Sequence, residues 1–283
     1  MKIGVSAFAW TSRFEESHLR LLPTIKEMGF DGIEIPMFSP EALPIRAIRD
    51  AFESNDLECT VCCILPQGIN PISPDTEIRH ESIDHLTACV EACAGIGSKL
   101  LAGPVYAPIG YLPEHRPTEE EWHWAVEAFQ GIEKVLDETG VTVAIEPVNR
   151  SETFFLRTAR ATRLLCEAIG NPRIGVNIDT FHANIEEQDI PGAIIELGSH
   201  LKHIHASEND RSLLGRGHVP FAEMIDALKS SKYSGYLMIE GFGYDPDEKI
   251  GPGRLWADVA VSPERLAAEG LAFLRGLISD YKS

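Results

Sequence analysis

The sequence predicts an α/β fold: one closed (β/α)8 barrel, with residues 1–283 forming a single domain. Three observations predict it. Short apolar runs recur at roughly 30–40-residue intervals, the repeat expected of a strand plus a crossover helix. Amphipathic patterns of helical period fill the spaces between them. The length, 283 residues, suits a barrel of about 250 residues. Strict strand–helix alternation implies parallel strands joined by right-handed crossovers. A doubly wound open sheet is the competing architecture, but no glycine-rich dinucleotide fingerprint follows the first run.

In order, the strand candidates are Ile3–Ala7, Gly32–Ile35, Glu58–Val61, Lys99–Ala102, Thr142–Ile145, Ile174–Ile178, Leu201–His205 and Gly235–Ile239. A helix near 16–28 carries Leu19, Leu22, Ile25 and Met28 at three-residue spacing. One near 118–139 carries Trp122, Val126, Phe129, Ile132 and Val135 on one stripe, so Trp122 and Trp124 read as core or interface residues. A helix near 158–169 opens at Thr158 and stops at Gly170, followed by Asn171 and Pro172. The last, near 263–281, opens on Ser262 and Pro263, a cap and first-turn pair. Gly/Pro-rich loops near 66–76, 104–117 and 242–262 follow the third, fourth and eighth strands. In a parallel barrel those three rim the same mouth.

Composition narrows the function classes. The net charge of −18 opposes nucleic-acid binding, because neutralising phosphates needs clustered Lys and Arg. It leaves a neutral polar small molecule as a compatible ligand. No apolar window reaches the roughly 18 residues a membrane helix needs, and MKIGVSAFAW runs straight into a strand without a signal-peptide pattern. A cytoplasmic enzyme is the expectation. Cys59, Cys62, Cys63, Cys89, Cys93 and Cys166 lack paired zinc-site spacing. They read as reduced, mostly buried small hydrophobes.

In a parallel barrel, chemistry sits where strands end. Strand five ends at Glu146, strand six at Asp179, strand seven at His205 and strand eight at Glu240. Three carboxylates in a low-dielectric cleft would repel one another. A divalent cation removes that repulsion, and a set of three carboxylates and one imidazole suits manganese, cobalt or magnesium better than structural zinc. His203 shares a strand face with His205 and reads as a packed barrel histidine. Glu34, ending strand two, is open between a supporting role at the site and plain structure. The same loops add Glu152, His182 and Arg211. An imidazole and a guanidinium beside a bound oxygen would stabilise developing negative charge, which enolisation of a ketone needs.

These stretches resemble the xylose-isomerase-like TIM barrels, in particular the D-tagatose and D-psicose 3-epimerases, the ketose 3-epimerase family. The resemblance runs through Glu146–Glu152 (EPVNRSE), Asp179–Glu187 (DTFHANIEE), His205–Arg211, Gly215–His218 (GRGH) and Glu240–Phe242. It implies one divalent ion, manganese first, bound by Glu146, Asp179, His205 and Glu240. It also implies a sugar held by Glu152, His182 and Arg211, and a homodimer or homotetramer. The implied reaction inverts C3 of a free ketose through an enediolate, with Glu146 and Glu240 working on opposite faces. Two departures, Ser6 where the family often has tyrosine and the Ala206–Asp210 segment after His205, touch the pocket for the distal end of the sugar. Competing readings on the same barrel are an aldose–ketose or hydroxypyruvate isomerase and an inosose dehydratase. An abasic-site endonuclease would need a multi-zinc cluster and a basic groove. A non-catalytic sugar-binding module would use the ligand set without turnover.

Overall fold

A computed structural model describes residues 1–242 and 261–279. Most of the loop expected near 242–262, and the end of the last helix beyond Ser279, lie outside the described residues. Eight strands close into a parallel barrel in chain order. They are β1 (Lys2–Ser6), β2 (Gly32–Met37), β3 (Glu58–Cys63), β4 (Leu100–Gly103), β5 (Thr142–Ile145), β6 (Ile174–Asp179), β7 (Leu201–Ala206) and β8 (Tyr236–Ile239). Each lies within two residues of its sequence-derived bounds. Pairing of Val5 with Ile239 joins β1 to β8 and closes the ring.

The helices are α1 (Leu21–Met28), α2 (Ile45–Ser54), α3 (Thr76–Gly95), α4 (Glu119–Gly131), α5 (Glu133–Thr139), α6 (Ala159–Ile169), α7 (Thr180–Glu186), α8 (Ile190–Leu197), α9 (Phe221–Ser230) and α10 (Pro263–Ser279). Two differ from expectation. The stretch at 16–28 begins as a 3-10 turn, Glu16–Arg20, and becomes α1 only at Leu21. Pro23 then falls in the first α-turn, where its missing N–H costs nothing. The single helix expected at 118–139 breaks at Ile132. Gly131 packs so closely on α3 that a Cβ there would lie 2.9 Å from Ile83. Helix α6 behaves as expected: Thr158 Oγ1 caps its start and Gly170 turns left-handed at its end.

Strand alternation sorts the residues into two layers. Outward positions such as Ile33, Ile35, Val61, Val143, Ile204 and Ile239 join the main apolar core with the helices. Inward positions include Glu34, Thr60, Asn177, His203 and His205, all nearly or fully buried. A polar interior of this kind needs internal partners, and those partners build the site. Five of the six cysteines are buried, Cys59 is partly so, and all six are free. Trp122 packs on Phe155, and Trp124 stacks with Arg79, both as helix-surface residues. Among the described residues no helix is long and apolar enough to cross a membrane.

Candidate active site at the carboxyl mouth

Four consecutive strands deliver one donor each. Glu146 follows β5, Asp179 ends β6, His205 is the penultimate residue of β7 and Glu240 follows β8. The β6–β7 register shifts between Val176 and Asn177 and then sets Asp179 directly opposite His205. An irregularity of this kind commonly re-aims side chains beside a site. Ligating atoms of Glu146, Asp179 and His205 lie within 4.8 Å of one another. Glu240 Oε1 stands 3.7 Å from His205 Nδ1, and Glu146 Oε1 stands 3.6 Å from the same atom. None of the four residues is more than 4% exposed.

Glu34 resolves in favour of support for the site. Its Oε1 lies 2.9 Å from His205 Nε2 and its Oε2 lies 3.0 Å from His203 Nε2. The Thr60 hydroxyl donates to Oε2 as well. Neither Glu34 Oε1 nor His205 Nε2 has an aligned hydrogen bond, so the carboxylate stands beside the His205 ring as a close ionic partner, with Nδ1 turned toward Glu146 and Glu240. Burial opposes ionisation of Glu34, but His205 and His203 beside it keep its pKa low. Burial alone would depress His205; Glu34, Glu240 and Glu146 reverse that and hold it well above its usual value. His203 is therefore a packed, hydrogen-bonded barrel histidine, as its strand face suggests.

Arg211 reaches into the same cluster from the β7–α9 loop. Its guanidinium contacts Glu240 Oε2, donates to Ser207 Oγ at 2.9 Å, and lies 2.9 Å from Asp179 Oδ2. The last contact is not aligned as a hydrogen bond, because Asp179 Oδ2 is buried with none. The guanidinium lies over the rings of Phe181 and Phe242, at 4.3 and 4.7 Å. Arg211 has φ +61, a strained conformation for a side-chain-bearing residue. Glu208 organises this loop: fully buried, it accepts from the main-chain N–H groups of Asn209, Gly215 and Val219.

His182 lies on α7, which Asp179 itself caps by accepting from Phe181 N–H. The main-chain N–H of Asn149 donates to His182 Nδ1. A neutral ring therefore carries its proton on Nε2, which faces Asp179 Oδ2 at 3.5 Å and Glu146 Oε1 at 3.8 Å. Burial keeps this imidazole neutral, pushing its pKa down to about 3 despite Asp179. Glu152 is tied to it indirectly: Asn149 Nδ2 donates to Glu152 Oε1 and lies 2.9 Å from His182 Nδ1. Burial raises the Glu146 carboxyl to about 7 although His205 opposes it.

Sequence reading overlooked Asn149, Ser207, Phe181 and Phe242. Asn149 and Ser207 carried a usable signal, as small polar residues within three positions of a strand-end donor. The two phenylalanines fall in stretches that carry the family resemblance, but only barrel closure brings their rings to Arg211. Taken together, the donors suit a hard or borderline divalent cation. Three buried carboxylates meet one imidazole nitrogen, and Asp179 Oδ2 has no hydrogen-bond partner of its own.

A parallel eight-stranded barrel with carboxylates and an imidazole at its carboxyl mouth defines an enzyme-type α/β barrel. The sequence profile of the family described as "Xylose isomerase-like TIM barrel" matches residues 22–277. A probable ketose 3-epimerase of Synechocystis sp. is 33% identical over 275 residues, covering 97% of this chain and 96% of that protein. The protein belongs to this xylose isomerase-like family, and within it to the ketose 3-epimerases. A ketose 3-epimerase of Arthrobacter globiformis is 28% identical over the full chain and 99% of its own length. The crystal structure of a D-allulose 3-epimerase from Methylomonas sp. superposes with a TM-score of 0.91 at 25% identity, covering 98% of each chain.

Proposed function

We propose that this protein inverts C3 of a free ketose through an enediolate, and that residues 1–283 work as one barrel unit. The observation that carries the reading is the convergence of Glu146, Asp179, His205 and Glu240 beside His182 and Arg211. A divalent cation held by those four donors supplies Lewis-acid polarisation of the ketose carbonyl. Manganese fits first, with cobalt or magnesium as alternatives.

The side chains divide the remaining work. One of Glu146 and Glu240 removes the C3 proton, and the electron pair moves toward the C2 oxygen. The other returns a proton to the opposite face of C3. Inversion needs two acid–base groups, and these two come from non-adjacent strands on either side of His205. Burial that raises Glu146 to about 7 suits a group that takes and gives protons near neutrality. The Nε2–H of His182 and the Arg211 guanidinium donate toward the oxygens at the C1–C2 end, where negative charge develops. Glu152 steadies His182 through Asn149. The phenyl rings beside Arg211 give that corner apolar walls. By the same family resemblance the chains assemble as a homodimer or homotetramer, which light scattering reads directly.

Deuterium tracing tests the reaction. D-fructose, D-tagatose and L-ribulose are each incubated in heavy water with manganese-loaded protein, and the products are read by NMR. The expected product is the C3 epimer labelled at C3. Label at C1 with an aldose accumulating would replace this reading with an aldose–ketose isomerase.

A further inference from the structure

A second cluster of donors lies outside the barrel, away from the carboxylates. Cys63 is the last residue of β3. Its neighbour Cys62 points inward, where Glu34, Glu146, Glu240 and Asp179 all bear on its thiol. Cys63 therefore points outward, onto α3. There it meets Cys89, at a sulfur–sulfur distance of 3.8 Å. His85 precedes Cys89 by four residues on the same helix face. Ligating atoms of Cys63, His85 and Cys89 all lie within 4.8 Å of one another.

We infer that Cys63, Cys89 and His85 form a second, sulfur-containing metal site, selective for zinc, that staples β3 to α3. The geometry is close to what zinc asks. Two thiolates at about 2.3 Å from a tetrahedral zinc sit about 3.8 Å apart. Two sulfurs and one imidazole are the donor set of a borderline-soft ion. His85 contributes an independent sign: its Nε2 is buried and has no hydrogen-bond partner. Buried imidazole nitrogens are normally satisfied. The fourth position falls to water or to the carboxylate of Glu41, on the Pro40–Ala42 turn, whose charge bears on His85.

Zinc binding displaces the two thiol protons to solvent, and two thiolates with water as the fourth ligand neutralise the ion. Motif spacing could not reveal this site, because Cys63 lies 26 residues from Cys89 and no paired Cys motif marks it.

Cobalt substitution tests the site, whatever reaction the barrel mouth catalyses. A thiolate bound to cobalt gives an intense near-ultraviolet charge-transfer band, which a site of carboxylates and imidazole cannot give. The full-length protein is reduced, stripped of metal and titrated anaerobically with cobalt. We expect the band to saturate at one thiolate-bound ion per chain and to vanish on adding zinc. It should survive Glu146→Gln and Cys166→Ser, and be lost in Cys63→Ser and in Cys89→Ser. His85→Ala alters a partly exposed helix position and should fold. It should weaken cobalt binding at this site by at least the roughly tenfold cost of losing even an outer partner. Absence of the band from the wild-type protein overturns the inference. So does its persistence in both cysteine variants, its loss in Cys166→Ser, or unchanged affinity in His85→Ala.

Discussion

At the residue scale, the site is marked by buried polar atoms without a hydrogen bond, among them Glu34 Oε1, Asn177 Oδ1, Asp179 Oδ2 and His205 Nε2. Glu34 touches no other carboxylate of the cluster, yet it sets the orientation of His205 from behind. Partners of this kind typically contribute 10–100-fold to metal affinity. Glu34→Gln should therefore raise the Kd for manganese by roughly that factor, measured by calorimetry on metal-free protein. Unchanged affinity would show that His205 needs no such support. Glu146 and Glu240 carry a different demand. Glutamine at either position keeps the size and an oxygen donor but removes the proton acceptor. Turnover should fall by about a hundredfold or more in each variant. Near-native rates in both, with metal still bound, would rule out the two-glutamate scheme.

At the element scale, the β7–α9 loop decides where Arg211 stands. Glu208 gathers three main-chain N–H groups into one buried carboxylate, so the loop has a fixed centre. Gly217 lies against that centre: a Cβ there would stand 1.9 Å from Asn209 Oδ1 and 2.5 Å from Glu208 Oε1. Gly217→Ala must push both aside, and Arg211 sits two residues beyond Asn209. A displacement of about 1 Å at a substrate-positioning group can cost on the order of a hundredfold in rate. We expect kcat to fall on that scale in Gly217→Ala while the circular dichroism spectrum stays native. A variant with wild-type kcat would mean that the loop absorbs the methyl group without moving Arg211. The break between α4 and α5 illustrates the same sensitivity to close approach, with Gly131 seated against Ile83.

At the scale of the whole molecule, barrel closure concentrates negative charge at one mouth. Glu146, Asp179 and Glu240 face one another, with Arg211 against Asp179 and Glu240 and His205 against Glu146 and Glu240. A divalent ion that binds only the folded chain stabilises it by about 2.7 kcal/mol at a hundredfold excess over its Kd. For a chain of 283 residues that corresponds to a Tm increase of roughly 4–5 °C. Manganese added to chelator-stripped protein should produce such a shift and restore turnover together. A Tm indifferent to manganese would argue against a metal held by these four donors.

The sequence by itself determined the architecture. Short apolar runs and stripes of helical period are local properties, written in neighbouring residues, so strand number, strand order and the main amphipathic helices were legible in the sequence. The candidate donors were legible for a related reason. Asp179, His205, Glu146 and Glu240 are polar residues at the ends of buried runs, and parallel topology sends all those ends to one mouth. The tertiary structure alone decided what depends on closure of the ring. Glu34 on β2 meets His203 and His205 on β7 across the barrel interior. Phe181 on α7 and Phe242 after β8 both bring their rings to Arg211, and Cys63 meets His85 and Cys89 on a packed helix. Such contacts join residues far apart in the chain, so no local pattern encodes them. They follow from strand stagger and from the distance at which helices pack on the sheet.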